Sequence, residues 1–219
     1  MDYLDWPTEN PIEKKQTKIH GWLGHGNKQE LERVIAEPGI YTVCELGSWY
    51  GKSADYIMKN ACNLSLICVD LWSNEDIEAG NQVIKTNTQK NYGALLKKYE
   101  LYETFLANVW EYRDRLIPLK MDTLAGLRKM KELEITPDAI YIDANHTYED
   151  VKAEIKLSLE LFPNVILLGD DINWSGVKKA VVEMGLKYDY KLIKNRNCWR
   201  YFKTIPKECL DDPNIKVLL

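Results

Sequence analysis

Short apolar runs alternate with longer amphipathic segments along most of this chain. Residues 41–46 and 64–69 are almost wholly apolar and predict two strands, and residues 53–62 between them predict a helix. Strands with so few polar positions have no face left for water, which is typical of a parallel sheet covered on both sides. These three segments therefore predict a βαβ unit.

The same alternation continues through the second half of the chain. Strands are predicted at residues 116–119, 139–142 and 165–168, and helices at residues 124–133, 148–162 and 175–184, the last ending at Gly185. Two final runs, residues 188–193 and 199–202, are separated by Asn195-Arg196-Asn197 and predict a hairpin. The pattern predicts an α/β fold with a doubly wound, mostly parallel seven-stranded sheet, helices on both faces and a C-terminal antiparallel hairpin.

No repeat or linker divides the chain, so residues 1–219 are predicted to form one domain. Residues 73–115 are too long for an ordinary connection and contain helix-compatible segments at 91–99 and 103–112, which indicates a lid-like insertion. Residues 1–36 are predicted to be a second helical or lid segment.

Composition narrows the classes of partner. Apolar residues make up 45% and charged residues 28% of the sequence, an ordinary globular balance, and the net charge of -4 gives no reason to expect a nucleic-acid partner. No apolar run is long enough for a membrane span, and the acidic start of the chain is unlike a secretory signal, so we expect a cytoplasmic protein with no membrane partner. The sequence neither requires nor excludes assembly into a homo-oligomer. The five cysteines show no metal-site spacing and are expected to be reduced.

A glycine-containing turn follows the first predicted strand. Gly47 and Gly51 let the backbone turn tightly, and the helix N-terminus after them favours an anion. Asp70 ends the second strand, where an acid is placed to accept hydrogen bonds from ribose hydroxyls. Turn geometry alone would also account for the two glycines. A nicotinamide dinucleotide is a rival ligand, although Trp49 occupies the middle glycine position of the dinucleotide motif.

Three aspartates follow two later strands. Asp143 comes directly after the strand at 139–142, and Asp170 and Asp171 follow Gly169 at the end of the strand at 165–168. If those strands are neighbours, the carboxylates lie close enough to share a cation, and oxygen ligands favour a hard ion, magnesium first. The alternative is that one aspartate binds a ligand and the others cap the following helices.

Other polar and aromatic residues flank the same edge. His146 is a candidate general base, because a histidine beside a metal-bound hydroxyl can accept its proton; it is also a common capping residue. Tyr148, Asn173 and Trp174 are candidate lining residues of an acceptor pocket, or aromatic core anchors in the case of the two rings.

Four segments together resemble a known family. Residues 45–53 (ELGSWYGKS), 105–113 (FLANVWEYR) and 141–148 (YIDANHTY), with Gly169-Asp170-Asp171 and Gly176-Val177, resemble the cephalosporin-hydroxylase and macrocin O-methyltransferase-like family of class I methyltransferases, whose site layout is akin to that of catechol O-methyltransferase. The resemblance spans about residues 21–202.

The resemblance implies a Rossmann-like fold, S-adenosylmethionine (SAM) as the cofactor, and methylation of a hydroxyl on a sugar, nucleotide sugar or other small molecule. It implies a magnesium or similar ion held by Asp143, Asp170 and Asp171; from their position in the sequence we take Asp143 and His146 as the catalytic residues. Relatives place the base differently: catechol-type enzymes have a lysine at the His146 position, and macrolide-sugar enzymes can place a histidine where this chain has Asn173. The implied cofactor-binding residues are Glu45, Gly47, Ser48, Trp49, Gly51, Ser53, Asp70, Leu71 and Asp122.

Two residue roles and the function itself have alternatives. Asp122 is either an adenine contact or the N-cap of the next helix. Lys85, Lys90, Lys97 and Lys98 either attract a phosphorylated acceptor or form a solvated helix face. The rival functions are an NAD(P)-dependent oxidoreductase and a catalytically silent SAM-binding module.

Overall fold

The structure is a computed structural model that describes residues 6–73 and 100–219. Its strands are β1 (Thr42–Leu46), β2 (Ser65–Asp70), β3 (Leu116–Lys120), β4 (Ala139–Ile142), β5 (Ile166–Gly169), β6 (Lys191–Asn195), β7 (Cys198–Phe202) and β8 (Ile215–Val217). Its helices are α1 (His25–Ala36), α2 (Lys52–Asn60), α3 (Leu101–Val109), α4 (Thr123–Glu132), α5 (Tyr148–Leu161), α6 (Ser175–Lys187) and the short α7 (Lys207–Leu210). Short 3-10 helices lie at Ile12–Lys14 and Trp110–Tyr112.

The described residues form one sheet with the strand order β3-β2-β1-β4-β5-β7-β6-β8. Strands β1 to β5 run parallel, and β7, β6 and β8 are antiparallel. The α/β fold, its mostly parallel sheet and the C-terminal hairpin are therefore confirmed. The structure adds an eighth strand, β8, to the predicted seven. With only three residues, Ile-Lys-Val, β8 is too short for its pattern to be read from the sequence.

Two apolar clusters cover the two faces of the sheet. Alternate side chains of each parallel strand point to opposite faces, so Val43 of β1 packs with α1, α2 and α3, whereas Cys44 and Leu46 share the other cluster with α4, α5 and α6. The strands are buried on both sides for this reason, and their polar residues collect at the strand ends.

Helix α3 lies inside the predicted insertion but belongs to the core. Leu101, Phe105 and Val109 are almost fully buried in the same cluster as α2. Residues 101–112 are therefore not a lid in this structure. The rest of the predicted lid, including residues 91–99 and the four lysines Lys85, Lys90, Lys97 and Lys98, lies outside the described residues.

The predicted helix stop at Gly185 is wrong, because α6 continues to Lys187. Gly185 lies inside α6 in close packing instead: a Cβ there would lie 2.8 Å from Leu219 Cδ1 and 3.2 Å from Tyr201 Cε1. The five cysteines are free, as predicted, with Cys62 exposed and the others buried. Within the described ranges, no helix is both long and apolar enough to cross a membrane.

Candidate active site

The strand order reverses direction between β1 and β4, so the carboxyl ends of these strands flank the crevice where doubly wound sheets bind ligands. The backbone N–H of Asp143 donates to the Leu46 carbonyl at 2.8 Å. A Cβ on Gly47 would lie 2.3 Å from the Asp143 carbonyl oxygen, and Gly47 has a φ of +92°. Only glycine fits there. The turn after β1 and the loop after β4 therefore touch, and the two predicted half-sites are continuous.

The turn between β1 and α2 has an unusual backbone. Trp49 has a φ of +50° and Gly51, the N-cap of α2, has a φ of +84°. Left-handed backbone is rare for a bulky residue such as tryptophan and is found mainly where the surrounding structure enforces it. Here Gly51 permits close approach of α3, since a Cβ would meet Val109 Cγ1 at 2.9 Å.

Helix α3 fixes this turn from outside the sheet. The Asn108 side chain donates to the Tyr50 carbonyl at 2.9 Å, and its Oδ1 accepts from the Gln16 backbone N–H at 2.9 Å. Lys52 Nζ donates to the Gly21 carbonyl. The N-terminal segment is thereby held against the turn. Asn108 lies in the motif at 105–113, and its role could not be read from that motif because it depends on how α3 docks.

Glu45 is fully buried at the end of β1. Burial raises the pKa of Glu45 to about 7, partly opposed by the nearby hydroxyls of Ser48 and Ser53 and reinforced by the charge of Asp70. Among the described residues, Glu45 Oε1 and Ser48 Oγ have no hydrogen-bond partner. Buried polar atoms without partners are rare in proteins. A bound cationic group would satisfy this carboxylate.

Asp70 organises the same turn through backbone donors. Its Oδ2 accepts from the Trp49 N–H at 2.9 Å and its Oδ1 from the Trp72 N–H at 2.7 Å, while Trp72 Nε1 donates to the Trp49 carbonyl at 2.7 Å. Burial raises the pKa of Asp70 against these hydrogen bonds. Each carboxylate oxygen keeps a second lone pair, so the predicted ribose contact stays a prediction. Leu71 beside it is 44% exposed, an apolar surface at the ligand edge.

Asp122 is the N-cap of α4. Its carboxylate accepts from the backbone N–H groups of Leu124 at 2.9 Å and Ala125 at 3.2 Å. The capping interpretation is therefore shown, and the adenine contact remains a prediction for the remaining oxygen.

The loops after β4 and β5 bring three candidate ligands together. One ligand atom from each of Asp143, His146 and Asp171 lies within 4.8 Å of the others. His146 Nε2 is 2.6 Å from Asp171 Oδ2. Burial raises the pKa of Asp143 well above its ordinary range, and the charges of Asp170, Asp171 and Glu45 raise it further. Burial also acts on Asp171, but contacts with His146 and Asn197 outweigh it and lower the pKa of Asp171.

Asp170 lies beside this group with its oxygens already engaged. Oδ1 accepts from Asn197 Nδ2 at 2.7 Å and from the Asp171 N–H at 2.6 Å, and Oδ2 accepts from Asn27 Nδ2. The structure thus groups His146 with Asp143 and Asp171, whereas the sequence predicted Asp143, Asp170 and Asp171 as the ligands. Gly169 makes room for Trp199, whose Nε1 donates to the Asp170 carbonyl at 3.1 Å.

The three predicted pocket residues have different placements. Trp174 is 42% exposed and stacks on His146, with ring centroids 5.1 Å apart. Asn173 is exposed and contacts Asn197. The Tyr148 hydroxyl donates to Glu183 and accepts from Lys152 Nζ, so it is engaged between α5 and α6. A small cavity at this edge is lined by Asp143, Asn145, His146, Asp170, Trp199 and three aliphatic side chains.

Two amides at the site, Asn27 and Asn197, were not predicted. Asn197 belongs to a segment that the sequence indicated only as a hairpin break, and Asn27 lies on α1, far from the aspartates along the chain. Two asparagines beside a turn carry no signal of their own for a site. Their contacts depend on the docking of α1 and the hairpin against β5.

Comparisons with known proteins identify the family and the fold of this chain. Residues 44–172, more than half of the chain, match the family described as a methyltransferase domain. A comparison with curated proteins found no match. Similar solved structures share the fold at low identity. The proposed caffeoyl-CoA O-methyltransferase of Staphylococcus aureus has a TM-score of 0.56 and 11% identity, over 83% of this chain and 85% of that one.

Two further structures have the same architecture. The Bacillus cereus O-methyltransferase in complex with SAH has a TM-score of 0.53 and 13% identity, over 83% of each chain. CalS11, a TDP-rhamnose 3'-O-methyltransferase of calicheamicin biosynthesis, has a TM-score of 0.51 and 16% identity, over 80% of this chain and 76% of that one. The family match and the shared fold confirm the predicted class I methyltransferase: this chain belongs to the methyltransferase-domain family.

Proposed function

We propose that this chain is a SAM-dependent O-methyltransferase, assisted by a divalent cation, that methylates a hydroxyl of a small molecule, with sugars and nucleotide sugars as the first candidates. One observation carries the proposal: the contact between Gly47 and Asp143 joins the cofactor turn to the Asp143, His146 and Asp171 group. The O-methyltransferases with the same fold, one of which acts on a TDP-sugar, support the choice of acceptor.

The residues of the turn fit SAM. When bound, SAM supplies an electrophilic methyl group that an acceptor oxygen takes by in-line displacement. The buried Glu45 carboxylate, with an unpartnered oxygen, suits the ammonium of its methionine part, and the N–H groups at the start of α2 suit the carboxylate. Asp70 and Leu71 suit the adenosine part, since they offer acceptor oxygens beside an exposed apolar side chain.

The acidic group fits a hard divalent cation. Asp143 and Asp171 offer carboxylate oxygens, which Mg²⁺ prefers, and His146 offers a nitrogen in the same group. Burial, and after it the charges of the neighbouring carboxylates, raise the pKa of Asp143, and a bound cation would offset both effects. Such an ion would lower the pKa of an acceptor hydroxyl and orient it.

His146 has a geometry that suits proton transfer. Nε2 lies 2.6 Å from Asp171 Oδ2 and the ring stacks on Trp174, two contacts that restrict the imidazole, and we expect Nδ1 to accept the proton. Asp171 then stabilises the charged imidazolium. The same ring is alternatively a ligand of the cation, and the two roles predict different properties for a variant that lacks the ring.

The test combines metal removal with matched variants. Turnover of radiolabelled SAM with a panel of sugars and nucleotide sugars should fall in EDTA and return with Mg²⁺ or Mn²⁺. Asp143→Asn should abolish the metal-dependent turnover and keep SAM affinity, whereas Asp114→Asn, at an exposed turn, should behave as wild type. Full turnover in EDTA contradicts cation assistance.

His146→Gln distinguishes the two roles of the histidine. As a base, its loss should lower kcat by about 10²- to 10⁴-fold and leave Mn²⁺ affinity unchanged. As a ligand, its loss should weaken Mn²⁺ binding as well. A variant with wild-type kcat would remove His146 from the reaction.

The rival functions have their own measurements. A nicotinamide dinucleotide is disfavoured by Trp49 in the turn and by the methyltransferase family match, and calorimetry with SAM and NAD(P) separates the two cofactors. A catalytically silent module would bind SAM but would bind no Mn²⁺ and methylate none of the acceptors.

A further inference from the structure

The turn between β6 and β7 reaches across the sheet edge to the two adjacent aspartates. Asn197 Nδ2 lies 2.7 Å from Asp170 Oδ1 and 2.6 Å from Asp171 Oδ1. A carboxamide nitrogen carries two hydrogens, so it can donate one to each carboxylate. No other described side chain is hydrogen-bonded to both aspartates.

A chain of hydrogen bonds fixes the orientation of this amide. Asn197 Oδ1 accepts from Asn173 Nδ2 at 2.7 Å, and Asn173 Oδ1 accepts from Lys194 Nζ. The ammonium of Lys194 is only a donor, so it sets Asn173 with its nitrogen toward Asn197, which in turn sets Asn197 with its nitrogen toward the aspartates. The backbone carbonyl of Asn197 also accepts a hydrogen bond from the Ile172 N–H at 3.0 Å, and this bond anchors the loop after β5.

Helix α1 holds the same aspartate pair from the other side. Asn27, 1% exposed, donates to Asp170 Oδ2. Both Asp170 oxygens are engaged, and Asp171 Oδ1 is bonded to Asn197. Asp171 Oδ2 is therefore the oxygen that faces His146. The amides thus decide which carboxylate oxygen is presented to the candidate cation site.

We infer that Asn197 is a positioning residue that orients Asp171 within the cation site by bridging Asp170 and Asp171, and that Asn173 acts through it. This inference rests on the proposed cation-assisted function. Two neighbouring carboxylates otherwise repel and rotate apart, and a shared donor offsets the repulsion while fixing their separation. Neither asparagine needs to touch the acceptor.

The experiment measures Mn²⁺ binding to the full chain by electron paramagnetic resonance, with SAM affinity and apo-protein unfolding in EDTA as parallel readouts. Asn197→Ala should weaken Mn²⁺ binding by about 10- to 100-fold, as loss of a ligand-orienting hydrogen bond does elsewhere. Asn197→Asp, which is isosteric but replaces the donor by a third carboxylate, should not restore it. SAM affinity should stay at the wild-type value in both variants.

Two further variants keep the test decisive. Arg196→Asn, at the exposed neighbouring turn position where φ is +56°, is the control and should bind Mn²⁺ as wild type, since asparagine tolerates this backbone. Asn173→Ala, at an exposed side chain, should fold normally and cause a smaller loss of Mn²⁺ affinity than Asn197→Ala.

The outcomes separate this inference from the proposed function. Wild-type Mn²⁺ affinity in Asn197→Asp, or in Asn197→Ala, overturns the positioning role alone. If Asn197→Ala does not fold, unchanged affinity in Asn197→Asp still overturns it, and unchanged affinity in Asn173→Ala removes the part assigned to Asn173. A wild-type protein that binds SAM but no Mn²⁺ contradicts the proposed cation assistance, and the inference falls with it.

Discussion

At the scale of single residues, Glu45 is a fully buried carboxyl with one oxygen that has no partner among the described residues. A buried carboxylate without a cation costs several kcal/mol, so it becomes protonated or acquires a partner. Its pKa of about 7 places it at the boundary between these two states near neutral pH. Ser48 and Ser53 offer hydroxyls, but no described cation reaches it. The ammonium group of the proposed cofactor would be such a partner.

The Glu45→Gln variant should bind SAM about 10- to 100-fold more weakly, because a hydrogen bond to a charged group is replaced by a neutral one. Since the wild-type pKa is about 7, the carboxylate is lost as pH falls through 7, and SAM affinity should fall from pH 8 to pH 6. The variant should lack this pH dependence. Calorimetric titrations with SAM across that range measure both effects.

The side chains that shift the pKa of Glu45 include the Ser48 and Ser53 hydroxyls, the Asp70 carboxyl and the Cys68 thiol, and the charge of Glu45 in turn raises the pKa of the Asp143 carboxyl and of the Cys44 and Tyr141 side chains. Burial raises the pKa of Cys68 well above its ordinary range, so the thiol does not titrate between pH 6 and 8. Glu132→Gln, at an exposed carboxylate of α4, is the control and should keep the wild-type profile. An unchanged affinity in Glu45→Gln would remove Glu45 from the cofactor site.

The sequence located residues at strand ends better than it assigned their partners. Asp143, His146 and Asp171 do converge, because the ends of neighbouring parallel strands meet at one edge. The direction of a helical side chain was less predictable: Tyr148 starts α5 near the edge, yet its hydroxyl bonds to Lys152 and Glu183. Such choices are set by packing between helices, which the sequence pattern does not encode.

At the scale of elements, the strands were predictable because burial on both faces leaves an unbroken apolar run. Strand β4 coincides with its prediction at residues 139–142, and α5 differs by one residue at its end. Helix α3 was expected in part of a lid, since length alone suggested an insertion. Its buried Phe105 and Val109 show that the same segment packs into the core.

Docking of α1 on the β6–β7 hairpin depends on Gly26. A Cβ there would lie 2.2 Å from the Asn195 carbonyl oxygen, so Gly26→Ala must displace α1 and should destabilise the protein by about 1–3 kcal/mol. Gly24→Ala is the matched control. Its Cβ would have only Asn27 Nδ2 nearby, at 4.0 Å, and its cost as an N-cap change should be on the order of 0.5 kcal/mol.

Urea unfolding of the two glycine variants tests this docking. Because Asn27 follows Gly26 and contacts Asp170, Gly26→Ala should also weaken Mn²⁺ binding, and Gly24→Ala should not. Equal unfolding midpoints for the two variants would show that α1 does not rest on the hairpin turn as described.

At the scale of the whole molecule, segments distant in sequence build one continuous edge. The turn after β1 is the proposed cofactor half and the loops after β4 and β5 form the acidic half, which α1 and the β6–β7 hairpin hold from two sides. This edge concentrates carboxylates, and another buried acid, Glu154, lies at the contact between α4 and α5. Their combined titration should affect global stability.

Glu154 allows that effect to be measured apart from the active site. Thr123 Oγ1 donates to Glu154 Oε1 at 2.7 Å, whereas Oε2 has no partner among the described residues. Burial raises its pKa to about 8, with the charges of Asp150 and Asp122 adding to the shift and the Thr123 hydroxyl opposing it. The folded protein therefore holds a proton that the unfolded chain releases near its ordinary value of 4.5.

The sign of the pH dependence follows from this difference. A raised folded-state pKa gives stability that is complete below pH 4.5 and is lost as pH rises through 8, so the wild-type free energy of unfolding should decline over that range.

Glu154→Gln keeps the acceptor for Thr123 and cannot ionise. It should match wild type near pH 5 and exceed it by a few kcal/mol near pH 9, on the order of the shift at 1.4 kcal/mol per unit. Urea unfolding in EDTA at both pH values, with Glu132→Gln as the exposed control, measures the difference. A Glu154→Gln variant that gains no stability relative to wild type between the two pH values would show that the pKa of Glu154 is not raised in the folded protein.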